Sequence, residues 1–471
     1  MKQNNVVQKI WSLCNILRGD GITYYQYIAE LSYLLFLKIA QENGSEELIP
    51  EGFRWADLDS HGEEGLLGFY QEMLTHLGAT AGNEVVRAIY AFPTTVFSHS
   101  ANLKAVISGI SKIDWHQVDQ DGFGDIYSGL IDKSAQDTRS GAGQYFTPRP
   151  LVEVIVRLTQ PKIGELIQDP SIGSGGFLVA ADEFIRRAAT KKQYKANPPK
   201  YQGVEIEKNT RRICLMNTFL HGLDAQIIYG DALTDDASAL EAADLILANP
   251  PFGSKAGSKR SLRKDIPFPN CNKQLAFLQH IYLGLKDGGR SAVVLPDNIL
   301  FEGGVGRAVR KNLMEVCNLH TILRLPTGIF YAAGVKTNVL FFSKPKKTER
   351  GTEDVWIYDM RANMPRFGKT SPLEQKHFED FIINFGDDPY GKSSRKDQGV
   401  NGCFRRFTRE EIAKRNDNLD ISWLSDDKVG AEEGLTELED ISAAILGHLR
   451  SALSEIEAVE EELAESVEVE E

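Results

Sequence analysis

The tetrapeptide Asn249-Pro-Pro-Phe252 follows directly on an apolar run, Ala243-Asp-Leu-Ile-Leu-Ala248. Pro250 and Pro251 stop the hydrogen-bond ladder of such a strand and stiffen the turn behind it, so the Asn249 side chain and the Pro250 carbonyl become two fixed acceptors. Acceptors of that kind suit one difficult reaction. An exocyclic amine on a heteroaromatic ring is a poor nucleophile, because its lone pair is delocalised into the ring. Two rigid acceptors for its N–H groups pull the nitrogen toward a pyramidal geometry and aim the lone pair at an electrophilic methyl. Phe252 adds a flat apolar face on which a flipped base can stack, worth about 1–3 kcal/mol by comparison with single-strand binders. No general base is needed before the transfer. Asn249, Pro250, Pro251 and Phe252 are therefore the candidate catalytic residues.

The methyl must arrive on a ligand, and three further segments could hold one. Asp169-Pro-Ser-Ile-Gly-Ser-Gly-Gly-Phe-Leu178 contains Gly173, Gly175 and Gly176, which let the backbone turn tightly and approach a ligand at a helix N-terminus, with Asp169, Ser171 and Ser174 as polar neighbours. It departs from the dinucleotide GxGxxG pattern and lacks the Gly-Lys-Ser/Thr ending of a phosphate loop, which favours a nucleoside. About thirty residues on, Gly203-Val-Glu-Ile-Glu-Lys208 offers a carboxylate able to accept hydrogen bonds from both hydroxyls of a ribose, either Glu205 or Glu207. Gly230-Asp-Ala-Leu233 places Asp231 either opposite an adenine amino group or in a purely local turn. Upstream, in Gly143-Gln-Tyr-Phe-Thr-Pro-Arg-Pro150, Thr147 is expected to cap a helix beginning near Pro148, with Gln144 and Tyr145 facing the same crevice.

These segments need a scaffold that brings strand ends together. From Thr147 to about Lys344 helical stretches alternate with short apolar runs at 165–168, 201–205, 243–248, 291–295, 321–325 and 338–342. That alternation predicts a mainly parallel sheet covered by helices on both faces, binding its ligand beyond the carboxyl ends of the strands. Residues 1 to about 135 carry apolar side chains at helical spacing, as at Val6, Val7, Ile10, Leu13, Cys14 and Leu17. The small, polar stretch from Ser134 to Gly143 marks the change of architecture. The expected division is a helical N-terminal domain over 1–138, a catalytic domain over 139–427 and an acidic helix over 428–471. In that last segment Leu435, Leu438, Ile441, Ile445, Leu449, Leu453, Ile456, Val459, Leu463 and Val467 recur at steps of three and four.

With 471 residues, 42% of them hydrophobic, the chain can bury a large core, which excludes wholesale disorder. No apolar stretch approaches the roughly 20 residues of a membrane span, and a soluble cytosolic protein is expected. Five scattered cysteines without paired spacing suggest structural thiols and no metal site. The net charge of −13 argues against nucleic acid only superficially, because residues 428–471 hold 14 acidic and 2 basic side chains and leave the remainder nearly neutral.

Three segments in order, Gln144-Tyr-Phe-Thr-Pro148, Asp169-Pro-Ser-Ile-Gly-Ser-Gly-Gly-Phe177 and Asn249-Pro-Pro-Phe252, give the chain its resemblance to known enzymes. It resembles the gamma-ordered amino-methyltransferases acting on DNA and, over most of its length, the modification subunit of type I restriction-modification systems. Leu325-Pro-Thr-Gly-Ile-Phe330 and Gly334-Val-Lys-Thr-Asn338 look like that family's late strand and turn. The resemblance implies a class I, Rossmann-like methyltransferase with a seven-stranded sheet, S-adenosylmethionine as donor and adenine N6 in duplex DNA as acceptor, reached by base flipping. Carried over by position, Gln144, Tyr145, Phe146, Thr147, Pro148 and Arg149 would line the methionine end of the donor. Ser174, Gly175 and Gly176 would contact its backbone, and Glu205 its ribose.

Between Phe252 and the next helix, Lys255, Lys259, Arg260, Arg263, Lys264 and Lys273 face a single Asp265. This is either a solvated loop or a phosphate-tracking loop that orders on DNA, and the adjoining chemistry favours DNA. Phosphate contacts position a duplex without reading it, and no segment resembles a recognition domain. The resemblance therefore implies a separate specificity subunit clasped by two modification subunits, with the acidic C-terminal helix docking on it, and a possible nuclease subunit beside them. Two other readings use the same residues: methylation of a protein glutamine amide, and a non-catalytic scaffold that helps a partner grip DNA.

Overall fold

The computed structural model describes residues 2–18, 21–115, 118, 120–135, 146–252, 262–326, 328–330, 336–346, 351–361, 364–365, 367 and 371–424. The chain forms two compact units, neither of them one continuous stretch. The first takes Met1–Phe146, Ile172–Asp182 and Gly203–Gly230; the second takes Thr147–Ser171, Glu183–Gln202 and Asp231–Glu471.

The first unit is helical at its amino end, with helices Lys2–Arg18, Tyr24–Glu42, Trp55–Ser60, Leu66–Thr80, Glu84–Ile89, Ser100–Ser111 and Gln120–Ala135. Helix Tyr24–Glu42 starts at a capping box, in which Thr23 and Gln26 satisfy each other's backbone amides. Every side chain from Tyr27 to Ala40 is buried, so this helix is surrounded rather than amphipathic, and its polar members need partners. Glu30 has them: its carboxyl accepts from the Tyr70 hydroxyl at 2.7 Å, the Thr95 hydroxyl at 2.9 Å and the Val96 amide at 3.0 Å. Helix Lys208–Leu220 packs on Tyr24–Glu42. Its buried Arg212 lies 3.9 Å from the Tyr33 ring centroid and donates to the Ile89 carbonyl at 3.2 Å.

All strands belong to one sheet: β1 (Leu166–Asp169), β2 (Lys200–Glu205), β3 (Ala225–Tyr229), β4 (Ala243–Ala248), β5 (Leu285–Pro296), β6 (Asn318–Arg324), β7 (Thr337–Ser343), β8 (Asp354–Asp359) and β9 (Phe404–Thr408). Their order is β3-β2-β1-β4-β5-β7-β6-β8-β9. In the second unit β1, β4 and β5 pair in parallel, whereas β7 lies antiparallel between β5 and β6. Only twelve residues link β6 to β7, about the minimum for a crossover between parallel strands, and a strand that returns over so short a link pairs antiparallel.

Among the described residues the sheet therefore has nine strands and a mixed pattern, where seven mainly parallel ones were expected. Six of them, β1, β2, β4, β5, β6 and β7, are the expected apolar runs; β3 was not among those runs, β8 joins β6 in parallel and β9 closes the edge antiparallel to β8. These two were hidden in sequence because they carry charged and apolar residues together, as in Asp354-Val-Trp-Ile-Tyr-Asp359, instead of a continuous apolar run. Helix Arg149–Thr159 packs on β5. Four of the five free cysteines are buried, and among the described residues no helix is long and apolar enough to cross a membrane. The acidic segment 428–471 lies outside the described residues.

Candidate active site

In the first unit the glycine-rich turn and the end of β2 are tied together. The Ile172 amide bonds the Val204 carbonyl at 3.1 Å, and the Gly175 amide bonds the Ile172 carbonyl at 2.9 Å. Gly173 and Gly175 have φ of 55° and 81°, and a Cβ on Gly175 would stand 3.2 Å from the Cys214 Sγ. Only glycine fits such a turn without strain. Helix Gly176–Ala188 starts immediately after it, and the Ser174 carbonyl accepts from the Asn217 side-chain Nδ2 at 2.9 Å.

Glu205, 8% exposed at the end of β2, accepts the Gly173 amide on Oε2 at 3.1 Å and the Glu207 amide on Oε1 at 2.8 Å. Burial pushes its carboxyl up to about 7, against the pull of the Glu207 and Gly173 amides. The Ile206 amide adds a weaker pull, and a carboxylate with about four acceptor positions is not filled by these donors. Glu207 has a different task. It caps helix Lys208–Leu220 by accepting the Thr210 amide at 2.6 Å, and it also accepts the Tyr25 hydroxyl. Burial raises the Glu207 carboxyl, but the Tyr25 hydroxyl and the Thr210 and Asn209 amides outweigh it and hold the group below the usual carboxylate range. Phe146 is buried in this unit.

In the second unit β1 ends at buried Asp169, whose Oδ1 accepts the Ser171 amide at 2.9 Å and so shapes the turn leading into Ile172. β4 runs into Asn249, where Nδ2 donates to the Thr147 hydroxyl at 3.0 Å. The other end of that amide, Oδ1, is buried and accepts no hydrogen bond from the described residues. Pro250 is buried, Pro251 exposed and Phe252 half-buried, its ring meeting Phe330 edge-on with centroids 5.8 Å apart.

Thr147 does not cap the following helix. Helix Arg149–Thr159 has Pro148 at its N-cap position and no side-chain cap; Thr147 stands one residue too early, and its hydroxyl bonds Asn249. Arg149 pairs with Glu153 on its own helix at 2.9 Å. Asp231 shapes a local turn, with Oδ1 accepting the Leu233 amide at 3.0 Å. Of the expected DNA-facing cations, Lys264 is exposed, while Arg263 pairs with Asp265 at 2.5 Å and bonds His280 at 3.0 Å. Burial, followed by the neighbouring Arg263 charge, pulls His280 down to about 4, so it meets that guanidinium as a neutral ring. Gln144, Tyr145, Lys255, Lys259 and Arg260 lie outside the described residues.

Two members of this arrangement had no assigned role in the sequence. Phe330 ends a segment whose family likeness was visible, yet nothing local pairs it with Phe252. Tyr25 carried no signal, since it meets Glu207 across 182 positions of chain.

Comparison with known proteins bears on what these parts do together. The family model described as N-6 DNA methylase matches residues 118–432, and that of the HsdM N-terminal domain matches residues 6–110. The chain is 41% identical to the type I restriction enzyme EcoKI methylase subunit of Escherichia coli K12, over 99% of this chain and 96% of that one. It is 40% identical to the StySPI methylase subunit of Salmonella potsdam, over 98% and 96%. Among solved structures it is similar to the EcoKI M protein, with a TM-score of 0.56 at 37% identity, covering 98% and 96% of the two chains. A chain from a study of complex assembly and conformational transition in a type I restriction-modification system aligns over the full length of both, with a TM-score of 0.75 at 28% identity. With both family models in sequence order and close likeness over nearly the whole chain, the protein belongs to the N-6 DNA methylase family, among the type I restriction enzyme methylase subunits.

Proposed function

We propose that this chain transfers a methyl group from S-adenosylmethionine to N6 of an adenine flipped out of duplex DNA, as the modification subunit of a type I restriction-modification complex. The supporting observation is the Asn249 turn: in a chain of this family, one end of the amide is bonded and the other is a buried, unengaged acceptor. Asn249 Oδ1 and the Pro250 carbonyl take the two N–H groups of the amine, and Phe252 stacks on the base with Phe330 against its edge. Stacking of this type is worth about 1–3 kcal/mol per base, which offsets part of the cost of unstacking the duplex.

The residues present fit the donor. Glu205 holds an acceptor carboxylate beside the glycine turn that the Gly173 and Glu207 amides do not fill, which suits ribose hydroxyls. A Cβ at Gly175 would crowd Cys214 and displace the backbone that has to approach a ligand. When bound, S-adenosylmethionine supplies an electrophilic methyl on a sulfonium sulfur. Gln144 to Arg149 would line its methionine end, Asp169, Ser171 and Gly173 to Gly176 would hold it, and Asp231 would meet its adenine. After the nitrogen has gained the methyl it sheds a proton, for which no buried base is required.

We further assign residues 1–138 to the helical domain, 139–427 to the catalytic domain and 428–471 to a helix that docks on a specificity subunit. Two such modification subunits grip the duplex, with Lys255, Lys259, Arg260 and Lys264 on phosphates and a nuclease subunit joining in restriction. The cytoplasm is the compartment this assignment calls for. The test is transfer of labelled methyl to unmethylated duplex DNA, with and without the specificity subunit, followed by nucleoside analysis. N6-methyladenine formed only with both subunits is the expected result. Label with this chain alone would overturn the separate-specificity assignment, and donor binding without label would overturn the catalytic one.

A further inference from the structure

An amide side chain has two ends of opposite polarity and nearly equal shape, so a catalytic asparagine must be held with its oxygen free for the substrate. Rotated by half a turn, Asn249 would present its NH2 to the amine of the base, donor against donor. The proposed chemistry needs Oδ1 of Asn249 as an acceptor and does not itself say what holds that side chain in place.

The structure answers with Thr147. Its Oγ1 lies 3.0 Å from Asn249 Nδ2, across 102 positions of chain, at the point where the Phe146-Thr-Pro-Arg149 segment precedes helix Arg149–Thr159. No other hydrogen bond engages the Asn249 side chain among the described residues, and Oδ1 is buried and unengaged. A buried acceptor without a donor is costly, and a fold keeps one where function requires it. Nor is Thr147 spent on its own helix, because Pro148 occupies the cap position without a side-chain bond. Its hydroxyl is thus committed to the turn at the end of β4 and free of the local role its residue type suggests.

We infer that Thr147 is a positioning residue for methyl transfer: by accepting the Asn249 Nδ2–H it anchors the side chain at the end of β4 and leaves Oδ1 for the entering amine. It touches neither the reacting nitrogen nor the methyl, and acts through Asn249. The inference rests on the proposed adenine chemistry and adds to it a determinant of the asparagine's placement.

Valine matches threonine in shape and lacks the hydroxyl, whereas serine keeps the hydroxyl and loses the methyl. The full-length chain, assembled with the specificity subunit on a duplex, is assayed for single-turnover methyl transfer and, separately, for donor affinity and thermal midpoint. Thr147→Val is expected to slow the chemical step about 10–100-fold, the range for one well-placed catalytic hydrogen bond, while donor affinity stays within about threefold, because the hydroxyl is engaged by Asn249 and valine keeps the backbone and shape with which residue 147 would line the donor. Thr147→Ser should recover the rate to within about threefold of the parent. A valine variant with undiminished single-turnover rate would overturn the inference. So would valine and serine variants that lose rate, donor affinity and thermal midpoint together, since that is the signature of a packing role. Asn249→Ala run alongside separates the two levels: if it too methylates normally, the adenine chemistry at this turn fails, not merely its positioning by Thr147.

Discussion

Binding of the donor should be coupled to loss of a proton from Glu205. The carboxyl is buried at the end of β2 and pushed up to about 7, so near neutrality roughly half the unliganded molecules carry it protonated. Accepting both ribose hydroxyls requires the ionised form, because the two oxygens already serve the Gly173 and Glu207 amides. The apparent dissociation constant then scales as the inverse of the ionised fraction, rising about tenfold from pH 8 to pH 6, with about half a proton released per donor bound at pH 7. The sign for stability runs the opposite way to an ordinary paired carboxylate. A folded pKa above the usual 4.5 favours the protonated fold; this contribution is complete below about 4.5 and is lost as pH rises through about 7, amounting to about 3 kcal/mol. Calorimetric titration of the donor in two buffers of different ionisation enthalpy measures the released proton directly. Glu205→Gln should abolish the release and weaken binding about 30–100-fold, by about 2–3 kcal/mol, because its NH2 would face one of the two backbone amides and cannot accept. An affinity flat between pH 6 and pH 8, with no proton released, would refute this account of Glu205.

Other perturbations isolate single parts. Asn249→Ala should cut the chemical step by about 10²–10³-fold with donor affinity unchanged, as measured by single-turnover transfer and equilibrium binding. Phe330→Leu removes the ring edge from Phe252 and should weaken retention of the flipped base by about 0.5–1.5 kcal/mol, read from the fluorescence of 2-aminopurine at the target position. Gly175→Ala, at φ of 81° and 3.2 Å from Cys214 Sγ, should cost about 1–2 kcal/mol in a denaturant midpoint and weaken the donor further. Tyr25→Phe deletes the phenol on Glu207; its carboxyl should titrate at higher pH by NMR, with a stability loss of about 1–3 kcal/mol above that pKa that fades as the carboxyl protonates.

The sequence by itself determined the parts whose geometry is local. Two prolines behind an apolar strand make a rigid turn whatever surrounds them, and glycines at 173 and 175 permit the positive φ that the turn after β1 adopts. The central strands were legible because strands buried on both faces are continuously apolar. β3 was not, since as an edge strand it is half exposed, and neither were β8 and β9, where charge interrupts the pattern. Tertiary structure alone decided between Glu205 and Glu207, because the choice turns on Tyr25 and Thr210 claiming one carboxylate and leaving the other at the glycine turn. It alone gave Thr147 to Asn249 rather than to its own helix, and Phe330 to Phe252. Contacts between residues far apart in the chain follow from how strands cross over and pack, and no local spacing of residue types encodes them.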